Sequence, residues 1–415
     1  MLVALGLCVL VPAVALDGGR SVSDARHDVV WASAVMLVGC LGAARLLWRG
    51  ATRTELAIVV VVAIVARLAR AVQAPVVSDD VHRFVWDGRV QIAGINPYRY
   101  APADPALARL RDARVWPRVN RPTVRTIYPP TNELAVAVAA GAGLRSDRTI
   151  KVLWLALEAL AIGLLVALLV RAGLPASRAV LYCWHPLALI ELAWSAHPDA
   201  LVLVPVLFAL LAWDRGQRAR LGVAIAVAAL AKLIPVLLVA ALRERLGRRG
   251  LLAAAIAAGA LYAPYATAGT AVLGSLDNYA AARYGSGPFA WLTAAGVGDG
   301  VARGLLLVAL AAGAAIIASR PPGDLPGAAR ACALLLGGAL LASHNVRPWY
   351  LLWCLPLLCL VPLRGLLWAT ATAPLLYVTA LNGRWLDPLL ASAIVWGPAL
   401  TLLVHELATG RRSRT

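Results

Sequence analysis

Two adjacent carboxylates, Asp79 and Asp80, follow directly on an apolar run from Leu56 to Val72. A carboxylate at such a boundary faces headgroups and water or a cavity between helices. The pair can act as a general base, taking a proton from a hydroxyl that attacks an activated centre. It can equally hold a divalent cation, since oxygen-only ligands suit Mg²⁺ or Mn²⁺. A second acidic turn is Ser195-Ala196-His197-Pro198-Asp199, and a cationic one runs from Ser343 through His344 and Arg347 to Pro348-Trp349-Tyr350. Arg347 is suited to a lipid phosphate through charge-assisted hydrogen bonds. Lys232 stands in an apolar run beside Pro235, where a lone ammonium costs a few kcal/mol unless it meets a phosphate, a carboxylate or water. Each feature has a plainer reading: Asp favours helix ends, Pro-Asp opens helices, and Arg-Pro-Trp-Tyr anchors an interface. Their convergence on one side of a membrane is what favours chemistry.

The elements that must position them are apolar helices. The chain has 415 residues, 61% hydrophobic and 14% charged, with mean hydropathy +0.76. Those values exclude a soluble globular protein and fit an all-α, polytopic transmembrane helical bundle. A net charge of +18 would suggest nucleic acid in a soluble chain. Here it reads as loop charge that fixes topology, with affinity for anionic membrane lipids. The six cysteines have neither metal nor redox spacing and read as small packing residues.

Spans are expected near 1–16, 29–48, 55–73, 151–170, 179–194, 198–213, 251–267, 301–319, 328–343, 349–363, 365–381 and 390–408. The run 134–144 is too short to cross, and 219–242 reads as two half-helices broken at Lys232 and Pro235. Short loops carrying Arg45, Arg49 and Arg53, or Arg215, Arg218 and Arg220, are cytoplasmic by the positive-inside rule, as are Arg411, Arg412 and Arg414 at the C-terminus. About twelve crossings result, with both termini inside and residues 1–16 a short retained span. The chain reads as one integral domain, residues 1–415, with no soluble appendage and no internal repeat.

Two loops come out on the far side. One, 74–132, commits about sixty residues to polar, aromatic and Arg-rich sequence and is expected to hold the chemistry. In it Val81, Phe84, Val85 and Ile92 mark one amphipathic helix, and Leu107, Leu110 and Val115 a second. The other, 268–300, contains Asn278, Tyr279, Arg283, Tyr284 and Trp291. At depth, Glu158 and Glu191 are expected to pair between helices, while Arg67 and Arg70 snorkel outward.

The strings Ser78-Asp79-Asp80, Arg83-Phe84, Trp86-Asp87-Gly88-Arg89 and Gly94-Ile95-Asn96-Pro97-Tyr98 are followed by Tyr128-Pro129-Pro130, His197-x-Asp199, Lys232-x-x-Pro235 and Pro348-Trp349-Tyr350. From about residue 55 to 381 this series resembles the GT-C superfamily of polytopic glycosyltransferases. Within it, the chain is most similar to bacterial polyprenyl-phosphate-mannose-dependent α-mannosyltransferases. The resemblance implies transfer of a sugar, with inversion, from a polyprenyl-phosphate donor to a hydroxyl of a glycan, glycolipid or protein acceptor, on the outer face of the cytoplasmic membrane. It implies Asp79 or Asp80 as the base, with Asp199, His197, Arg347, His344, Lys232, Arg89 and Tyr128 binding substrate. A His in place of the Asn of some relatives, and extra spans before the loop, depart from the pattern. The competing classes are a transporter or flippase, and a non-catalytic envelope scaffold.

Overall fold

The computed structural model describes residues 1–16, 22–75, 77–273, 275, 286–380 and 386–409, and within these the regular structure is helical throughout. Leu2–Ala15 (α1), Val22–Leu47 (α2) and Arg53–Ala71 (α3) pack together. Thr52 opens α3 with a capping box: its hydroxyl accepts from the Glu55 N–H and its own N–H donates to the Glu55 carboxylate, satisfying two orphan donors at once. Asp80–Ile92 (α4) lies in the long loop, and Pro130–Gly141 (α5) closes it. Asp147–Arg171 (α6), Ala200–Asp214 (α7), Arg218–Ala229 (α8) and Leu238–Tyr262 (α9) follow. Gly287–Ala294 (α10), Asp299–Ser319 (α11), Leu325–Ala342 (α12), Arg364–Thr372 (α13) and Pro388–Ala408 (α14) complete the bundle.

Among the described residues, six segments are long and apolar enough to cross a membrane: Asp28–Leu47, Asp147–Arg171, Ile234–Leu273, Asp299–Ser319, Leu325–Ala342 and Pro388–Ala408. Several of the other expected spans consist of shorter or broken pieces. The expected span 179–194 is not one helix: single turns at Val180–Cys183 and Pro186–Ala188 lead into a π-helical turn, Leu189–Trp194. Pro186 interrupts the ladder there, and the whole stretch is buried, so neighbouring helices stabilise a backbone that hydropathy cannot distinguish from a straight helix. The expected break at Lys232 is present. α8 ends at Ala229, and a 3₁₀ turn, Ile234–Leu237, with Pro235 in its first turn, leads into α9. α9 itself breaks at Gly247, whose φ of 57° is open chiefly to glycine. α5, at 12 residues, spans roughly 18 Å at 1.5 Å per residue, short of the ~30 Å hydrocarbon core.

The long loop folds around a core of its own. Val81, Phe84, Val85, Trp86 and Val90 of α4 pack with Leu107, Val115, Val136, Ile150 and Trp154. Burying each such side chain contributes about 1.5–3 kcal/mol. α4 lies close on α5 because Gly88 has no side chain: a Cβ there would stand 2.7 Å from the Val136 carbonyl oxygen. The second expected amphipathic helix is instead a 3₁₀ helix, Pro105–Leu110, and a turn at Trp116–Arg118. The Asp112 carboxylate accepts from the N–H groups of Arg114, Val115 and Trp116, and these local bonds compete with the helix ladder.

Arg67 and Arg70 turn inward rather than snorkel. Arg67 meets Glu158 through two bonds of 2.9 and 2.7 Å, and Arg70 donates to the Leu16 carbonyl at 2.9 Å and lies 4.9 Å over the Trp194 ring. A buried guanidinium with a carboxylate or a ring in reach has no reason to seek the interface. Of the second outer loop, Trp291 lies in α10, whereas Asn278, Tyr279, Arg283 and Tyr284, like Arg411, Arg412 and Arg414, fall outside the described residues.

Candidate active site

The acidic pair sits where α4 begins. Asp79 is the N-cap residue but its carboxylate makes no capping bond, and the Asp80 N–H is satisfied by the Ser78 hydroxyl at 3.3 Å. The Asp79 side chain is therefore left for other work. One turn further on, Arg83 binds both oxygens of Asp87 at 2.9 Å and donates to the Val124 carbonyl at 2.9 Å. This draws segment 120–125 across the start of α4 and brings the Asn120 amide to Oδ1 of Asp79 (3.0 Å) and Oδ1 of Asp80 (2.5 Å).

The cationic side is assembled by the broken helix. The Thr131 N–H donates to the Leu230 carbonyl at 3.0 Å, and its hydroxyl to the Val227 carbonyl at 3.1 Å. The end of the long loop is thus tied to the break between α8 and α9. Tyr128 and Lys232 are brought together, the ammonium standing 5.3 Å from the ring centres of both Tyr128 and Tyr350, within the range of cation–π attraction. The Tyr98 hydroxyl donates to the Tyr128 carbonyl at 2.7 Å and secures the same corner. Burial, and then the charge of Asp80, push the Tyr128 phenol well above its ordinary pKa, so the ring beneath Lys232 is neutral.

These groups enclose a cavity of about 280 Å³. In its wall Asp79 and Asp80 face Arg83, Arg121, Arg125, Lys232 and Arg347, with Trp349, Tyr350 and Tyr377 as aromatic walls. Arg83 is committed to Asp87, and the remaining cations still outnumber the carboxylates, as an anionic ligand requires. Backbone strain gathers here as well. Among the described residues other than glycine, positive φ occurs at Arg121 (44°), in the wall, and at Ala196 (59°), beside His197. Such conformations persist only where the surroundings enforce them.

His197 lies just beneath the cavity. Its Nε2 is 3.7 Å from Asp80 Oδ2, its Nδ1 3.0 Å from Glu191 Oε2, and its ring stacks on Trp349 with centroids 3.9 Å apart. Five residues singled out from sequence thus line one cavity: Asp79, Asp80, Tyr128, Lys232 and Arg347. Three others are placed elsewhere. Asp199 is fully buried and accepts from Trp353 Nε1 at 2.7 Å. His344 stands 5.6 Å from Phe289, edge to face. Arg89, at the far end of α4, pairs with Asp112 at 2.6 Å and braces the loop through the Leu110 carbonyl. Partial burial works to raise the Asp112 carboxyl, but the Arg89 bond and the Val115 and Trp116 N–H groups prevail and hold it at about 2. Residues the sequence did not mark are Asn120, Arg121, Arg125 and Tyr377. No motif frames them, and only the polarity of the loop hinted at the first three.

The inner oxygens of the acidic pair face the Asn120 amide, and among the described residues no group of three or more His, Cys, Asp or Glu side chains comes together.

Residues 4–246 match the alpha-(1->6)-mannopyranosyltransferase N-terminal domain of the MptA_B family. No curated protein and no solved structure matches the chain. The family match covers more than half of the sequence and takes in α1–α8, the acidic pair, the loop, His197 and Lys232. The chain belongs to this family, a GT-C type mannosyltransferase family of multi-pass membrane proteins.

Proposed function

We propose that this member of the alpha-(1->6)-mannopyranosyltransferase family transfers mannose, with inversion, from a polyprenyl-phosphate donor to an acceptor hydroxyl on the extracytoplasmic face of the bacterial cytoplasmic membrane. The observation that carries the reading is the meeting of two carboxylates with a cationic, aromatic wall in one cavity. A carboxylate of the pair takes the acceptor proton as the acceptor oxygen bonds to the anomeric carbon and the bond from that carbon to the phosphate oxygen breaks. The phosphate is a good leaving group in itself. Lys232 and Arg347 are placed to neutralise charge gathering on its oxygens, a stabilisation worth most where water is excluded. Tyr128 and Tyr350 hold the ammonium at the cavity without cancelling its charge, as a carboxylate would. Arg-rich short loops that prefer the cytoplasm support the outward orientation of the long loop.

A transporter needs charged groups along a pathway. Here the charges at depth are taken up, with Glu158 bound to Arg67 and Glu191 to Tyr377, and Lys232 belongs to the cavity. The test is transfer of label from polyprenyl-phosphate [³H]mannose to endogenous lipid and polymer acceptors, in membranes carrying wild-type protein or the Asp79→Asn or Asp80→Asn variant. Wild-type transfer that at least one of these substitutions abolishes at equal expression is the expected result. Wild-type transfer no greater than in empty membranes, with that donor and with other lipid-linked sugars, would reject the proposal.

A further inference from the structure

Behind Asp80 runs a chain of groups the transfer mechanism has not used. Glu191 and His197 are each 1% exposed and come from one continuous segment, the π-helical turn and the bend after it. The His197 N–H donates to the Glu191 carbonyl at 2.9 Å, so the backbone itself sets their separation. The Glu191 carboxylate accepts from the Tyr377 hydroxyl, which stands 2.8 Å from each oxygen, and Oε2 lies 3.0 Å from His197 Nδ1. On the other edge of the ring, Nε2 looks at Asp80 Oδ2 across 3.7 Å. Trp349 covers one face of the imidazole. At Ala196 the backbone takes a positive φ of 59°, which an L-residue rarely adopts, just before the ring that looks toward Asp80.

Neither ring nitrogen has a hydrogen-bond partner of its own; a carboxylate 3.0 Å from Nδ1 draws a proton to that nitrogen, leaving the Nε2 lone pair toward Asp80. Nothing in this arrangement serves Asp79, which is exposed and accepts from the Asn120 amide. The two members of the acidic pair are therefore unequal: one opens to solvent and the other is backed by a proton acceptor.

We infer that Glu191 and His197 are positioning residues that form a proton-accepting couple behind Asp80, and that Asp80 is therefore the base of the acidic pair. The inference rests on the transferase reading and deepens it. In the step, the acceptor O–H bond breaks as its oxygen bonds to the anomeric carbon, and the proton lands on Asp80 Oδ2. It passes from there to Nε2, giving an imidazolium balanced by the Glu191 carboxylate. Asp80 is left ionised, and the departing phosphate takes the electron pair of the broken bond to carbon. The 3.7 Å gap shortens to a hydrogen bond only as the substrate closes the site, as distances between catalytic groups commonly do. The couple returns its proton to Asp80, and so to the leaving phosphate or to water, when the products depart.

The experiment compares steady-state transfer from labelled donor by full-length protein in lipid nanodiscs, with rates normalised to monodisperse protein. Variants are Asp79→Asn, Asp80→Asn, His197→Gln, His197→Ala and Glu191→Gln. The couple predicts that Asp80→Asn abolishes transfer. His197→Gln and Glu191→Gln lower kcat about 100-fold or more, the scale of one proton-transfer group. KM for the donor stays within about twofold, because the groups act in the transition state alone. Added imidazole restores part of the kcat of His197→Ala and none of that of Glu191→Gln, a response that a merely structural histidine would not give. Retention of kcat within about threefold by His197→Gln, with Asp80→Asn inactive, overturns the couple and leaves the transferase standing. Loss of transfer in Asp79→Asn with full activity in Asp80→Asn overturns it too. Undiminished transfer by both aspartate variants overturns the couple and the carboxylate base together, whereas no transfer by the wild-type protein, with this donor and with other lipid-linked sugars, removes the transferase reading itself.

Discussion

Two carboxylates, Glu158 and Glu191, are buried to the same degree and are partnered in opposite ways. Glu158 takes both of its oxygens to the Arg67 guanidinium, at 2.7 and 2.9 Å, with the Tyr182 hydroxyl 3.2 Å from the first. Its partner is a permanent cation in fork geometry, and nothing in the pair is free to change charge. Glu191 has no guanidinium. Its neighbours are the Tyr377 hydroxyl and an imidazole, the side chain whose protonation changes most readily near neutral pH. One carboxylate is a fastening between α3 and α6, and the other is one end of a chain that leads to Asp80 and the cavity. The partner of a buried charge, more than its depth, separates structure from chemistry.

The largest effect is expected from removing the fixed partner of Glu158. Arg67→Met leaves Glu158 buried without its cation, and uncompensated charges of this kind cost about 3–5 kcal/mol. Thermal unfolding in detergent is expected to show that loss, with most of the stability regained in the double variant Arg67→Met, Glu158→Leu. A cheap single variant would mean that water reaches Glu158 and that the pair is no fastening.

The cavity wall is expected to behave in the converse way. Lys232→Met keeps the apolar stem over Tyr128 and Tyr350 and removes the charge, so stability should change by less than about 0.5 kcal/mol. The rate of transfer should fall about 10²–10³-fold, the usual cost of losing one electrostatic stabiliser of a departing oxyanion. Equal losses of stability and rate would place Lys232 with Arg67 among the fastenings.

The smallest effect sharpens the comparison at the surface. Asp112 lies in the loop with its carboxyl held at about 2, below the ~3.9 of an unfolded chain. Its ionised form therefore stabilises the fold above about pH 4, and that contribution disappears as the pH falls through 2. The carboxylate is 38% exposed, so the contribution is below about 1 kcal/mol. Resistance of the loop to proteolysis should be lower in Asp112→Asn than in wild type at pH 6, and the difference should shrink below about pH 4 and vanish only as the pH falls through 2.

Much of this architecture is legible in the residues themselves. The long polar loop, the half-length α5 and the break at Lys232 follow from runs too polar or too short to cross a membrane and from a proline with no N–H to donate. Of the three turns expected together, those of Asp79-Asp80 and Arg347 meet in the cavity, while the third contributes His197 beneath it and turns Asp199 away. Other features lie beyond composition and periodicity. Arg67 is drawn inward by a carboxylate 91 positions away in sequence, and hydropathy reports only that both helices are apolar. The π-helical turn at Leu189–Trp194 is buried all round, so its apolar run looks like a straight span. Arg89 has the right chemistry in the right neighbourhood, but one residue along a helix turns a side chain by about 100° and it is turned toward Asp112; His344, in the bend after α12, meets Phe289 instead. Asn120 joins the two aspartates from a stretch with no motif, held there by an Arg83 bond to a backbone carbonyl that no sequence pattern announces.

The most direct test of the account is a structure of the protein in lipid nanodiscs with polyprenyl phosphate bound. The phosphate is expected in the cavity beside the acidic pair, its oxygens within hydrogen-bond reach of Lys232 and Arg347, with Tyr128 and Tyr350 still flanking the ammonium. A phosphate seated instead in the second basic cavity, lined by Arg215, Arg218 and Arg245, with the first cavity empty, would contradict it.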